Sequence, residues 1–71
     1  MPLTIVQPGR RVRIVKVDAG EGLLGRLSAM GLIPGMEIEV LQNSLHGPFL
    51  IAVKGSRVML GRGMARKIVV E

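Results

Sequence analysis

Apolar and polar residues alternate along most of the chain, in short runs cut by glycine and proline, and alternation with period two marks half-buried β-strands. From Arg11 to Val17 (RVRIVKV), Val12 and Ile14 share one face, but Val15 and Val17 fall on the other. An apolar face that switches in mid-strand predicts a bulge or strong bend, as where a strand curls around a small barrel. From Met36 to Leu41 (MEIEVL) the alternation is clean, with Met36, Ile38 and Val40 inward and Glu37 and Glu39 outward. Phe49 to Lys54 (FLIAVK) sets Phe49, Ile51 and Val53 together, and Arg57 to Leu60 (RVML) follows after Gly55-Ser56. That two-residue link predicts a II′ hairpin with glycine at positive φ. A last strand is expected at Lys67 to Val70 (KIVV).

One stretch keeps a different period. Glu21 to Met30 (EGLLGRLSAM) spaces Leu23, Leu27 and Met30 for one face of a helix, with Leu24 beside them. Asp18 or Glu21 lies near its start, where negative charge suits the helix dipole. Gly31 is placed for a left-handed cap, and Leu32 for folding back on the helix. Gly22 and Gly25 each weaken this helix by up to about 1 kcal/mol relative to alanine, so packing must hold it. A one-turn helix is also expected at Gly61 to Arg66. Gln7-Pro8-Gly9-Arg10 and Ile33-Pro34-Gly35-Met36 have the form of type II turns, each leading into a strand. Together these elements predict a mainly β domain, a small SH3-like barrel of about five strands with a short helix in the first connection, plugging one end.

Composition bounds what such a barrel can do. Seventy-one residues make a single domain, residues 1–71, with a thin core. The chain has no cysteine, so disulfides and thiolate metal sites are excluded. Its 48% of apolar residues never run long enough for a membrane helix, which needs about 20 in succession, and MPLTIVQPGRR does not read as a secretory signal. A cytoplasmic protein without direct membrane insertion is expected. The net charge of +5 favours an acidic partner.

Candidate chemistry is sparse. His46, the lone histidine, sits in a polar turn-prone stretch, and a metal site needs three or four ligands. No internal metal or other cofactor site is visible; at most His46 shares an adventitious ion between molecules. Glu37 and Glu39 read as a solvated strand face, and Ser28, Ser44 and Ser56 have no recognisable base partner. The fragment GEGLLG lacks the spacing and βαβ context of a dinucleotide site. No enzyme is expected. Single-strand nucleic acid readers stack bases on aromatics, and the one aromatic, Phe49, points inward by its alternation. A duplex binder remains as an alternative, gripping phosphates through Arg10, Arg11, Arg13 and Arg57. Met30 and Met36 fit as core filling, while Met59 and Met64 are placed to rim a groove.

The stretch from Arg26 to Met36, RLSAMGLIPGM, resembles the ferrous iron transport protein A family, FeoA. The likeness extends to the PG-x-x-V-x-I strand (Pro8 to Ile14), the Gly47-Pro48 turn, the LIAVKGSRVMLGR hairpin (Leu50 to Arg62) and the closing segment from Met64 to Val70. It implies a cytoplasmic SH3-like accessory of ferrous iron uptake that contacts a membrane transporter carrying a GTP-binding domain. It equally implies kinship with the C-terminal domain of metal-dependent repressors, so a stand-alone relative of that domain is a further alternative. The family's transition-metal label has no counterpart here, because no ligand cluster is visible. For partner contact the sequence offers Arg26, Arg57, Arg62 and Arg66, with Leu24 or Met64 as apolar anchors. Gly31, Pro34 and Gly35 are motif residues with a structural role. Exposed edge strands leave the oligomeric state open.

Overall fold

The structure, a computed structural model, describes all 71 residues. Five strands form one antiparallel sheet: β1 (Arg11–Val17), β2 (Glu37–Asn43), β3 (Phe49–Val53), β4 (Ser56–Leu60) and β5 (Ile68–Val70), in the order β4-β3-β2-β1-β5. Helix α1 (Glu21–Ala29) occupies the first connection and a single turn, α2 (Arg62–Ala65), the last. The sheet curls into a small SH3-like barrel around one core of 15 buried apolar residues, drawn from every strand and both helices.

The bend lies where the apolar face of β1 switches. Its first half pairs with β2 (Val12↔Ile38), its second half with β5 (Ile14↔Val70, then Lys16↔Val69). Val15 is the extra residue, left 43% exposed while Val12 and Ile14 are buried. One strand thereby serves two halves of the barrel. A second bulge, which clean alternation did not predict, falls at Leu41: Val40 pairs with Ile51, and Gln42 with Leu50. It carries β2 on to Asn43, past its expected end.

Both Pro-Gly turns form as expected. Gly9 and Gly35 adopt φ of 91° and 92°, and the turns close through Arg10 N–H to Gln7 O (3.3 Å) and Met36 N–H to Ile33 O (3.1 Å). The β3–β4 hairpin corrects the sequence expectation. Val53 pairs with Ser56, so the two loop residues are Lys54 and Gly55, not Gly55 and Ser56. Both have positive φ, 51° and 77°, the signature of a type I′ turn. The I′ geometry matches strand twist, and the chain accepts a lysine in the left-handed region to obtain it.

Helix α1 is held by its C-terminal end. Gly31 N–H donates to Ser28 O (2.9 Å) and Leu32 N–H to Leu27 O (2.8 Å), a Schellman cap with Leu27 and Leu32 both in the core. Gly31 is fixed twice over. Its φ is +87°, and an added Cβ would stand 3.2 Å from Val53 Cγ1. Leu23 packs against the core from the same helix, whereas Met30, expected on the apolar face, is the C-cap and remains 37% exposed.

The N-terminal segment, which alternation left unread, completes the barrel. Leu3 and Val6 are buried around a 3-10 turn (Leu3–Ile5), and Pro2 bridges Val69 on the outer side of β5. The Met1 amino group donates to Val70 O (2.8 Å), and Val70 N–H to Met1 O (2.7 Å).

Candidate functional site

No arrangement in this barrel resembles a catalytic or metal centre. His46 is exposed in the turn between β2 and β3, and no three histidine or acidic side chains converge anywhere. The donor set therefore does not fit a resident transition-metal ion, which takes at least three protein ligands. No buried side chain carries a charge, and none leaves a polar atom unsatisfied. A shallow depression on the outer sheet face, lined by Arg11, Glu37, Glu39 and Lys54 among others, is polar and open.

What stands out is the distribution of charge. All acidic side chains lie at Asp18, Glu21, Glu37, Glu39 and Glu71, so residues 40–70 contain Lys54, Arg57, Arg62, Arg66 and Lys67 and no carboxylate. On β1 and β2, by contrast, charges interleave. Arg11 Nε lies 3.6 Å from Glu39 Oε1, and Arg13 sits opposite Glu37 across the ladder. The arginines proposed for a duplex grip are thus partly matched by carboxylates of the neighbouring strand. Arg11 alone forms an ion pair; the carboxylate-free stretch takes in the β3–β4 hairpin, α2 and the approach to β5.

The residues expected to meet a partner fall into two groups. Leu24 (37% exposed) and Arg26 lie on α1. Arg57 on β4 and Arg66 after α2 are exposed, while Met64 on α2 is half-buried against the core. No extensive packing joins helix α1 to β4 or α2.

Arg62 has a task of its own inside the molecule. Its guanidinium lies 4.8 Å from the centroid of the buried Phe49 ring, and its Nη1 donates to Asn43 Oδ1 (3.0 Å), to Ser44 O and to Gly47 O (3.5 Å). Asn43 Nδ2 in turn donates to Val6 O (2.8 Å) and Thr4 O (3.2 Å). A chain of contacts therefore runs from α2 through the end of β2 to the N-terminal turn. Sequence reasoning grouped Arg62 with the surface cations because a lone arginine gives no sign of its acceptors. Asn43 likewise carries no local signal that sets it apart from the polar residues after it.

The family model described as the FeoA domain matches residues 1–71, the full length of the chain. The chain belongs to the FeoA domain family. A relative from Methanocaldococcus jannaschii, described by name as an Fe(2+) transport protein A, is 43% identical over 70 residues, covering 99% of this chain and 84% of the relative. Among solved structures, an iron uptake regulatory protein, FeoA, superposes with a TM-score of 0.94 at 35% identity, covering 100% of this chain and 95% of that one. A FeoA from Stenotrophomonas maltophilia, solved with zinc and described as a prokaryotic SH3 domain protein, superposes with a TM-score of 0.86 at 22% identity, over 100% of this chain and 89% of that one. That last likeness concerns the fold alone. This FeoA-family chain has an apolar core without buried charge, and no carboxylate lies between residues 40 and 70.

Proposed function

We propose that this FeoA-family protein is a non-catalytic cytoplasmic accessory of ferrous iron uptake, which docks on the cytoplasmic GTP-binding part of a partner membrane iron transporter. The observation that carries the reading is the carboxylate-free run of residues 40–70, with exposed Arg57 and Arg66, in a family whose named relatives serve iron transport. Surface arginines offer planar donor forks to carboxylates and are frequent interface hot spots. Leu24, Arg26, Arg57, Met64 and Arg66 supply the contacts, and Arg62 holds α2 in place behind them. Gly31, Pro34 and Gly35 shape the turn between α1 and β2. Iron is the cargo of the transporter, and nothing in this chain is built to hold it.

The test is retention of the purified protein on the immobilised cytoplasmic domain of the transporter. Intact protein should be retained, and a variant combining Arg26→Gln, Arg57→Gln and Arg66→Gln should be lost at the same salt. Failure of the intact protein to bind at low salt would end the proposal.

A further inference from the structure

The sheet closes on one side and stays open on the other. Strand β5 is flanked by β1 and by the Met1–Pro2 segment, so both of its edges are used. Strand β4 pairs with β3 alone, and no turn or loop bonds to the backbone of Arg57 or Met59. The ladder shows which of its backbone groups are free. Val40 N–H and C=O both bond to residues 9 and 10, on the β1 side. Hydrogen-bonded and non-bonded pairs alternate across an antiparallel sheet. Glu39↔Ala52 is therefore a bonded pair, Ala52↔Arg57 a non-bonded one, and Ile51↔Val58 bonded again. The two-residue hairpin gives the same phase from the other end, through Val53↔Ser56. Ser56, Val58 and Leu60 thus turn their backbone groups toward β3, and Arg57 and Met59 turn theirs outward, off the sheet.

Natural edge strands are blunted by proline, a bulge, a covering loop, short length or charged side chains. β4 has no proline and keeps an unbroken register over five residues, and its one charged side chain is Arg57. The side chains beside its free groups are specific. Arg57 is exposed, Met59 is 66% exposed, and between them Val58 faces inward, half-buried against the core. On the outer face Met59 continues a row with Leu50 and Gln42, and Arg57 a row with Ala52 and Glu39.

We infer that the β4 edge is a strand-addition site for an extended, acidic segment of a partner protein. The partner's backbone would exchange hydrogen bonds with Arg57 and Met59. An acidic residue would lie beside Arg57 and an apolar one beside Met59 on the outer face, with an apolar residue between them facing Val58. Main-chain bonds supply affinity in such complexes, and alternate side chains supply specificity. Charge selects the occupant. A second copy paired edge to edge would bring together two β4 strands whose one charged side chain is Arg57, with no carboxylate to offset it, whereas an acidic strand neutralises that charge. This mode rests on the docking reading above and specifies how the docking is made.

The experiment uses the whole protein, isotope-labelled, with a capped peptide of sequence SLVEVTS and a lysine counterpart, SLVKVTS. The expected result is a shift of the Arg57 and Met59 amides, with hydrogen exchange at both slowed at least about tenfold at saturation, as local protection requires. The lysine peptide should bind at least about tenfold more weakly, and Arg57→Gln should narrow that difference. Arg57→Pro and Met59→Pro each remove an outward N–H without touching a ladder bond, a change edge strands tolerate, and each should abolish binding. No protection in the unaltered protein at millimolar peptide would overturn the inference. So would protection that rises with protein concentration alone, which would mean self-pairing, or the same shifts from a short DNA duplex. If intact protein and Arg57→Pro are retained equally on the transporter's domain, docking stands and strand addition fails. If neither is retained, docking fails, and the peptide result still decides the edge.

Discussion

Substitution of Asn43 tests whether the contacts joining α2, β2 and the N-terminal turn hold the barrel shut. Asn43→Ala removes the donor to Val6 O and Thr4 O and the acceptor for Arg62. A neutral hydrogen bond contributes about 1 kcal/mol net, and one to a charged group about 1.5–3 kcal/mol. The three bonds, two neutral and one charged, are all partly buried, so the loss should lie at the low end of their sum, about 3.5 kcal/mol. At roughly 0.05–0.15 kcal/mol per residue, a domain of this length is stable by about 4–11 kcal/mol, so the substitution removes a large share. The melting temperature should fall by about 14–28 °C, at about 4–8 °C per kcal/mol for a domain of this size. Urea unfolding followed by circular dichroism gives the free energy, and an unchanged slope shows that the folded state is as compact as before. Asn43→Asp separates the two halves of the contact. It keeps an acceptor for Arg62 but sets a carboxylate against two carbonyl oxygens, so it should cost at least as much as Asn43→Ala. An aspartate variant as stable as wild type would refute the tether to the N-terminal turn. A double-mutant cycle with Arg62→Ala should show a coupling of about 0.5–3 kcal/mol.

Further outcomes follow from other parts of the fold. Gly31→Ala forces a Cβ into the left-handed region, 3.2 Å from Val53 Cγ1, and should cost about 1–3 kcal/mol in chemical denaturation. Lys54→Asn places a residue suited to positive φ in the I′ turn and should raise stability by about 0.5–1 kcal/mol, whereas a loss would contradict the turn type. Ferrous iron or zinc added to the protein should leave its melting temperature unchanged, and His46→Ala should make no difference to that result, because linkage requires a site that the folded state alone supplies.

Much of this fold was legible along the chain because period-two alternation, Pro-Gly turns and a glycine cap are local signals. The face switch at Val15 even located the bend that lets β1 serve both halves of the barrel. Signals that depend on distant partners were not legible. Leu3 and Val6 become core residues only because β5 returns to lie beside the N-terminus, and nothing within residues 1–7 announces that meeting. The hairpin turn was misplaced by one residue because glycine suits either type, and only the Val53↔Ser56 pairing distinguishes I′ from II′. At the candidate surface, the sequence yielded the identity of the cations but not their employment. Arg62 reads like Arg57 or Arg66 until Asn43, Ser44 and Phe49 are seen around it.

The bonds between Met1 and Val70 also have an architectural consequence. Entry and exit of the chain are adjacent, with the first amino group 2.8 Å from the carbonyl oxygen of Val70. A host protein could carry the domain as a cassette within a surface loop, since the inserted barrel spans almost no distance and strains its host little. For the same reason a circularly permuted version, its old ends fused by a short linker, should keep the barrel intact.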